Sequence, residues 1–272
     1  MSNPRRFDNL RDRWEQRARK HQSDLVGVLC RGLSPALNGY IHNQHLRLLQ
    51  DELLARLHFG SRVLDLGCGY GRIGMAIRDK RPDIELIGCD HALAYCQLNR
   101  KNVQSPTICC DLNALPFHTE TFHGIVAVTS LMYLAKNQRV TAVKQVLALL
   151  RPGGLALFIE PAQGIQQMMA MLRPESARNT TGGSGFTANE LEKLIEAAGG
   201  FILARGGTLL FTLSLPFLVL MDRMPRLQSL MLKAITSIDR WLLPFHRFSL
   251  HRWILLQLPP AKSPSNESRV SS

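Results

Sequence analysis

Short apolar runs alternate with stretches of helical spacing through the middle of the chain. Val63–Leu66, Glu85–Asp90, Ile108–Asp111, Gly124–Thr129 and Leu155–Glu160 are brief and mostly apolar, as buried parallel strands are. After the first run, Ile73, Met75, Ala76 and Ile77 recur at helical spacing. Arg78, Lys80 and Arg81 then suit a helix C-terminus, and Pro82 stops it. His91–Asn102 and Val140–Leu150 are two further helices, the second ended by Arg151-Pro152-Gly153-Gly154. Strands alternating with helices predict an α/β fold, a parallel sheet with helices on both faces. Thr187, with Glu190 completing a capping-box pattern, opens another helix that runs to Gly199-Gly200. A sixth strand lies within Phe201–Phe211, and Leu250–Leu258 is the best seventh.

The flanks carry different patterns. Phe7, Leu10, Trp14 and Ala18 predict a short amphipathic helix, while residues 24–33 are apolar without a period. Ser34-Pro35 reads as a helix start, and Leu37, Ile41, Leu46, Leu49, Leu53 and Leu57 carry helical structure up to Phe59-Gly60. Residues 1–59 are therefore expected to form an N-terminal helical segment ahead of a main domain at 60–258. Late in the chain, Thr208–Met221 is apolar but too short to span a bilayer. Leu227, Leu230, Met231, Ala234, Ile235, Ile238, Trp241 and Leu242 then repeat at helical spacing. An amphipathic insertion, 212–249, thus separates the last two strands, and residues 222–252 carry Arg223, Arg226, Lys233, Arg240, Arg247 and Arg252 against Asp222 and Asp239. Its apolar face either packs on the sheet or the N-terminal helices, or forms a basic lid that touches an anionic membrane surface. The polar Pro/Ser-rich tail, 259–272, is expected to be disordered.

Candidate chemistry gathers where the first strand ends. Val63 to Leu66 leads into Gly67-Cys68-Gly69-Tyr70-Gly71 and then a helix, a turn that aims backbone N–H groups at a ligand. A dinucleotide fingerprint has a third glycine where Arg72 stands, and a P-loop would need Gly-Lys-Ser/Thr. Asp65, just before the first glycine, opposes a pyrophosphate and favours a cation. S-adenosylmethionine has no phosphate and carries a positive sulfonium and amino group. Asp90 and Asp111 end the next two strands, so one ligand beyond the carboxyl ends of the strands can meet all three acids. Asp90 is placed to accept ribose hydroxyls and Asp111 to accept an adenine amino group; each acid could instead serve only as a cap or turn.

The stretch Val63 to Gly71 closely resembles the first motif of class I S-adenosylmethionine-dependent methyltransferases. Asp111 to Phe117 is similar to that family's acid-x-x-x-Leu-Pro-Phe loop, and Phe122 to Val126 to its fourth-strand entry. Leu149 to Gly154 resembles its Leu-x-Pro-Gly-Gly turn, and Phe186 to Gly199 its Phe-Thr-x-x-Glu-Leu…Ala-Gly helix. The resemblance covers about residues 60–200 and is specific as an ordered set. It implies a Rossmann-like, seven-stranded, mostly parallel sheet, with the N-terminal segment as a substrate cap. It also implies S-adenosylmethionine as cofactor: Gly67, Cys68 and Gly69 against the methionyl part, Asp65 at its amino group, Asp90 at the ribose. Asp111 and Leu112 would border the adenine, and Thr129 would lie near the sulfonium. His123 stands where the family usually has Asp, and Met132-Tyr133 where many members have a His pair. No catalytic base is therefore assigned, with His118, His123, Tyr133 and Glu160 as the candidates.

Composition narrows the rest. The chain has 272 residues, 45% of them hydrophobic, enough for one full core. There is no signal-peptide core. The six cysteines show no Cys-x-x-Cys spacing, which predicts reduced thiols in a cytoplasm and no metal site. A net charge of +12 fits nucleic acid, an anionic membrane or acidic substrates, or merely a solvated basic surface. After the fourth strand the chain reads Thr129-Ser130-Leu131-Met132-Tyr133, with neither the Asn/Asp-Pro-Pro-Tyr/Phe of adenine-N6 methyltransferases nor the Pro-Cys of cytosine-C5 enzymes. The paired-glutamate loop of arginine methyltransferases is also missing. A small-molecule or lipid-like acceptor is the expectation. The alternatives are a nicotinamide-dependent oxidoreductase, disfavoured by Asp65 and Arg72, and a non-catalytic cofactor-binding module.

Overall fold

The computed structural model describes residues 4–172, 183–187, 189–239 and 249–260. Seven strands form one sheet in the order β3-β2-β1-β4-β5-β7-β6. They are β1 (Arg62–Leu66), β2 (Glu85–Asp90), β3 (Thr107–Cys109), β4 (Phe122–Val128), β5 (Leu150–Pro161), β6 (Phe201–Gly207) and β7 (His251–Gln257). The first five are mutually parallel, and β7 runs antiparallel between β5 and β6. The carboxyl end of β6 therefore points the same way as those of β1–β5.

The described helices are α1 (Pro4–His21), α2 (Pro35–Leu48), α3 (Arg72–Lys80), α4 (Leu93–Val103), α5 (Arg139–Ala148), α6 (Gln163–Leu172), α7 (Glu190–Ala197), α8 (Leu209–Leu220) and α9 (Pro225–Asp239). Successive strand residues face opposite sides. Leu64, Leu66, Ile125, Ala127 and Phe158 pack with Val143 and Val146 of α5 and Ile195 of α7. On the other face Val63, Val126, Leu157 and Ile159 meet Ile73 and Ile77 of α3 together with Leu49 and Leu53. Alternation therefore leaves Asp65, two residues after Val63, on the α3 side of the sheet.

Several boundaries differ from the sequence expectation. The helix from Pro35 does not continue unbroken to residue 59; it passes into a π-turn at Leu49–Leu53 and a 3-10 turn at Leu54–Arg56. Thr187 is not the cap of the next helix: Asn189 is, and only the reverse half of the capping box forms, with Thr187 N–H donating to Glu190 Oε2. β3 stops at Cys109, so Asp111 lies beyond the strand. β6, by contrast, lies within the expected Phe201–Phe211, ending at Gly207 before the apolar run of α8.

The insertion is a helical hairpin of α8 and α9. Phe211, Leu215, Leu218, Leu232 and Ile235 form a third core with Leu29, Leu33, Leu37, Tyr40 and Ile41. Asp239 fastens the base of the hairpin, accepting the N–H groups of Leu210 (2.6 Å) and Phe211 (3.1 Å). Trp241 and Leu242, and the tail from residue 261, lie outside the described residues. Among the described residues no helix is long and apolar enough to cross a membrane.

Candidate functional site

The glycine loop is held against the end of β2. Gly67 and Cys68 both donate their N–H groups to the Cys89 carbonyl, at 2.8 and 2.9 Å. Gly67 (φ +79°) and Gly69 (φ +53°) adopt left-handed backbone, which glycine accepts without steric cost. A Cβ on Gly67 would stand 2.6 Å from Ser130 Cβ, and one on Gly69 would reach Val28 Cγ1 at 3.1 Å. The loop therefore has no room for side chains on the faces that meet its neighbours.

Asp65 is buried at the end of β1, and its Oδ2 has no hydrogen-bond partner. Burial pushes its pKa up to about 7, against the pull of the Arg72 guanidinium. Asp90 is fully engaged: Oδ2 accepts the Gly69 N–H and Oδ1 the Ala92 N–H, both at 3.0 Å. Asp111 forms a turn, Oδ1 accepting from Asn113 N (2.8 Å) and Nδ2 (2.9 Å). At the exit of β4, Thr129 holds φ +55°, costly backbone for a β-branched residue, while its N–H donates to the Ile159 carbonyl at 2.8 Å.

All eight sequence-expected residues line one cavity of about 420 Å³: Asp65, Gly67, Cys68 and Gly69 beside Asp90, with Asp111 and Leu112 to one side and Thr129 to the other. That volume lies within the range for small-molecule sites. Its roof is the N-terminal segment, through Leu10, Arg11 and Trp14 of α1 and through Val28. Trp14 meets Tyr133 edge-on, with ring centroids 5.1 Å apart, and lies beneath the Arg17 guanidinium. Arg17 in turn donates to the carbonyls of Val26 and Leu29, both at 2.8 Å, tying α1 to the turn that carries Val28. Glu15 caps α4, its carboxylate accepting the N–H groups of Leu93 and Ala94.

The four base candidates separate. His123 sits at the start of β4, at the opposite end of the sheet, where its Nδ1 accepts the Arg62 N–H at 2.9 Å. His118 contributes its carbonyl to a turn with Thr121. Glu160 is buried behind the loop after β4 and accepts the N–H groups of Ser130 (3.0 Å), Leu131 (2.8 Å) and Met132 (3.2 Å). Burial pushes its pKa up to about 8 against those three donors. Of the four, Tyr133 lines the cavity.

Arg72 is a cavity residue that the sequence reading did not assign to the site. It is buried and approaches His42 Nδ1 at 3.4 Å and His45 Nδ1 at 3.1 Å. A guanidinium only donates, so both histidines present a bare Nδ1. His45 Nε2 then carries the proton and donates to His251 Nδ1 at 3.3 Å. Burial and the neighbouring Arg72 charge hold His42 and His251 down to about 4 and His45 well below its ordinary value. Four residues from three parts of the chain therefore form one hydrogen-bonded cluster, of which Arg72 lines the cavity. Only the position of Arg72, opening α3 straight after the glycines, could have pointed to it.

The donor set suits an amino-acid nucleoside better than a phosphate ligand. Asp65, a buried carboxylate with one unpartnered oxygen, calls for a cationic donor, and Arg72 near it for an anion. The Asp90 and Asp111 carboxylates at the other strand ends would repel a pyrophosphate.

Comparison with known proteins agrees. Residues 63–154 match a family model described as a methyltransferase domain. The tRNA (carboxymethyluridine(34)-5-O)-methyltransferase alkbh8 of Xenopus tropicalis is 31% identical over 109 residues, which is 39% of this chain and 16% of that protein. A carboxy-S-adenosyl-L-methionine synthase of Geobacter metallireducens is 29% identical over 111 residues, 37% of this chain and 45% of that one. The chain thus spans less than half the length of either curated relative. A solved geranyl diphosphate methyltransferase, in complex with GPP and sinefungin, shares the fold at TM-score 0.61 and 14% identity, covering 93% of this chain and 99% of that one. The matched segment runs from the first strand through the glycine loop to the entry of the fifth, and over it the chain is similar to the class I S-adenosylmethionine-dependent methyltransferases.

Proposed function

We propose that this protein transfers the methyl group of S-adenosylmethionine to a small-molecule or lipid-like acceptor. One observation carries the reading: Asp65 and Asp90 at two adjacent strand ends, and Asp111 two residues past the third strand, share a single cavity roofed by the N-terminal helix. The cofactor would supply a sulfonium-activated methyl group: the acceptor's nucleophile bonds to the methyl carbon as the carbon–sulfur bond breaks in line, and neutral S-adenosylhomocysteine leaves. The protein's part is to bind, align and exclude water. Asp65 holds the amino group on its unpartnered oxygen, and Arg72 the carboxylate. Gly67, Cys68 and Gly69 lie along the methionyl chain. Asp90 accepts the ribose hydroxyls while still bracing Gly69, and Asp111 with Leu112 borders the adenine. Thr129 closes the sulfonium end, next to Tyr133 and Trp14, which keep water out.

The roof carries one cation, Arg11, but is otherwise apolar at Leu10, Trp14 and Val28, which favours a compact or lipid-like acceptor over a base presented on a folded nucleic acid. The rival reading is a tRNA acceptor, favoured by the net charge of +12 and by the name of the frog relative. Incubation with methyl-tritiated S-adenosylmethionine separates them. Label is expected in the organic or small-molecule fraction of a cell extract, and label in tRNA overturns the acceptor assignment. Failure of S-adenosylmethionine to bind in calorimetry overturns the whole reading.

A further inference from the structure

The α8–α9 hairpin has two apolar faces, and one of them is bare. Its inner face is the third core described above. On the outer face of α8, Leu213 (66% exposed), Phe217 (55%) and Leu220 (78%) form a stripe at spacings of four and three. Met224 in the turn and Leu227 and Leu230 (65%) on α9 extend it. A helix this apolar on all sides belongs in a buried setting, and a contiguous apolar patch on a monomer marks a contact surface.

Charge decides which contact. Arg223, Arg226 and Lys233 are exposed on the same hairpin. The acids between residues 208 and 239 are Asp222 and Asp239. Asp222 accepts from Gln228 Nε2 at 2.9 Å, and Asp239 is buried beneath Leu210 and Phe211. The bare face is thus apolar, rimmed by cations, with its acids turned inward or engaged. Three exposed cations around exposed leucine and phenylalanine, with both acids of the hairpin engaged, complement the phosphates of anionic headgroups. α8 has 12 residues, so the hairpin can lie in a bilayer surface but not cross it.

Position adds direction. β6 runs parallel to β5, so the hairpin leaves the sheet at the end where Asp65, Asp90 and Thr129 open into the cavity. Through the third core it packs with Val28, which also lines the cavity roof.

We propose that the α8–α9 hairpin docks this protein on anionic phospholipid bilayers. Leu213, Phe217, Leu220, Leu227 and Leu230 enter the headgroup–acyl boundary, and Arg223, Arg226 and Lys233 meet headgroup phosphates. Docking brings the cavity end of the sheet to the membrane, so a lipid-borne acceptor reaches it by lateral diffusion; that last step rests on the methyl-transfer reading, and docking does not.

The test is co-sedimentation of the full chain with phosphatidylcholine vesicles containing phosphatidylglycerol, against vesicles of phosphatidylcholine alone. Binding is expected to the anionic vesicles at low salt, and about tenfold weaker in high salt or without phosphatidylglycerol. The double variant Phe217→Glu/Leu220→Glu abolishes it, and Arg223→Glu/Arg226→Glu weakens it at least tenfold. Both variants keep wild-type affinity for S-adenosylmethionine by calorimetry, which shows that they fold and separates this result from the cofactor reading. Wild-type protein left in the supernatant with anionic vesicles overturns the proposal, as does sedimentation of the first variant like wild type. A wild-type dimer that Phe217→Glu dissociates overturns it too, assigning the face to a second copy.

Discussion

Asp90 Oδ2 accepts the Gly69 N–H at 3.0 Å, so the acid expected to hold the ribose also braces the glycine loop. Its other oxygen accepts the Ala92 N–H ahead of α4. Removing the carboxylate therefore loses a ligand contact and a strut together. Asp90→Ala is predicted to weaken S-adenosylmethionine binding by about 1.5–3 kcal/mol, and Asp90→Asn, which keeps one acceptor oxygen, by less. Calorimetry on variants with wild-type circular dichroism checks this, and unchanged affinity for Asp90→Ala leaves only the helix-cap role.

The glycine loop gives a steric prediction. Valine at position 69 would need φ near +53° and would press its Cβ to 3.1 Å from Val28 Cγ1. Gly69→Val is expected to abolish cofactor binding while the chain still folds. Gly67→Ala places its Cβ 2.6 Å from Ser130 Cβ, a distance real Cβ atoms do not show, so it should also lower Tm. Equilibrium dialysis and thermal melts measure the two effects, and normal binding by Gly69→Val contradicts the loop's role.

Binding should depend on pH through Asp65. Its pKa without ligand is raised to about 7, and an ammonium partner requires the carboxylate form. Below pH 7 binding must therefore release a proton, so affinity rises with pH by about tenfold per unit up to about pH 7, then levels. Titrations in buffers of different ionisation enthalpy read the proton release directly. Asp65→Asn should bind more weakly and flatten the profile; an unchanged slope in that variant assigns the dependence to another group.

Glu160 is predicted to act on the loop after β4 without touching the ligand. Its two oxygens take three backbone N–H groups, from Ser130, Leu131 and Met132. A glutamine offers one oxygen, and its amide N–H groups would face an N–H donor. Glu160→Gln should cost about 1–3 kcal/mol of stability, read as a lower urea midpoint at unchanged slope. An unaltered midpoint shows that the buried acid is dispensable to the loop.

Most of the sheet was legible because buried parallel strands leave a plain mark: short apolar runs ended by an acid. The acids themselves were legible for the same reason, and the structure gathers all three at one cavity. The end of β6 was less sharply marked: the strand lies within the expected Phe201–Phe211, but only Thr208 separates it from the apolar run of α8. Arg72 was legible only as a missing glycine. Its partners His42 and His45 lie on α2 and His251 on β7, so no local pattern relates them. The outer stripe of α8 was hidden for a different reason: an all-apolar helix has no period to show which side is covered.

Glu15 ties the roof to the helix beneath it. Its carboxylate caps α4 from a helix 78 residues earlier in the chain, so α4 is capped only while α1 lies over the cavity. Lifting α1 strips two N–H groups of their acceptor and disfavours the open form by about 1–2 kcal/mol on that count alone. The roof over the cavity and the start of α4 are thus latched to each other by one side chain, and a change at either is felt at the other.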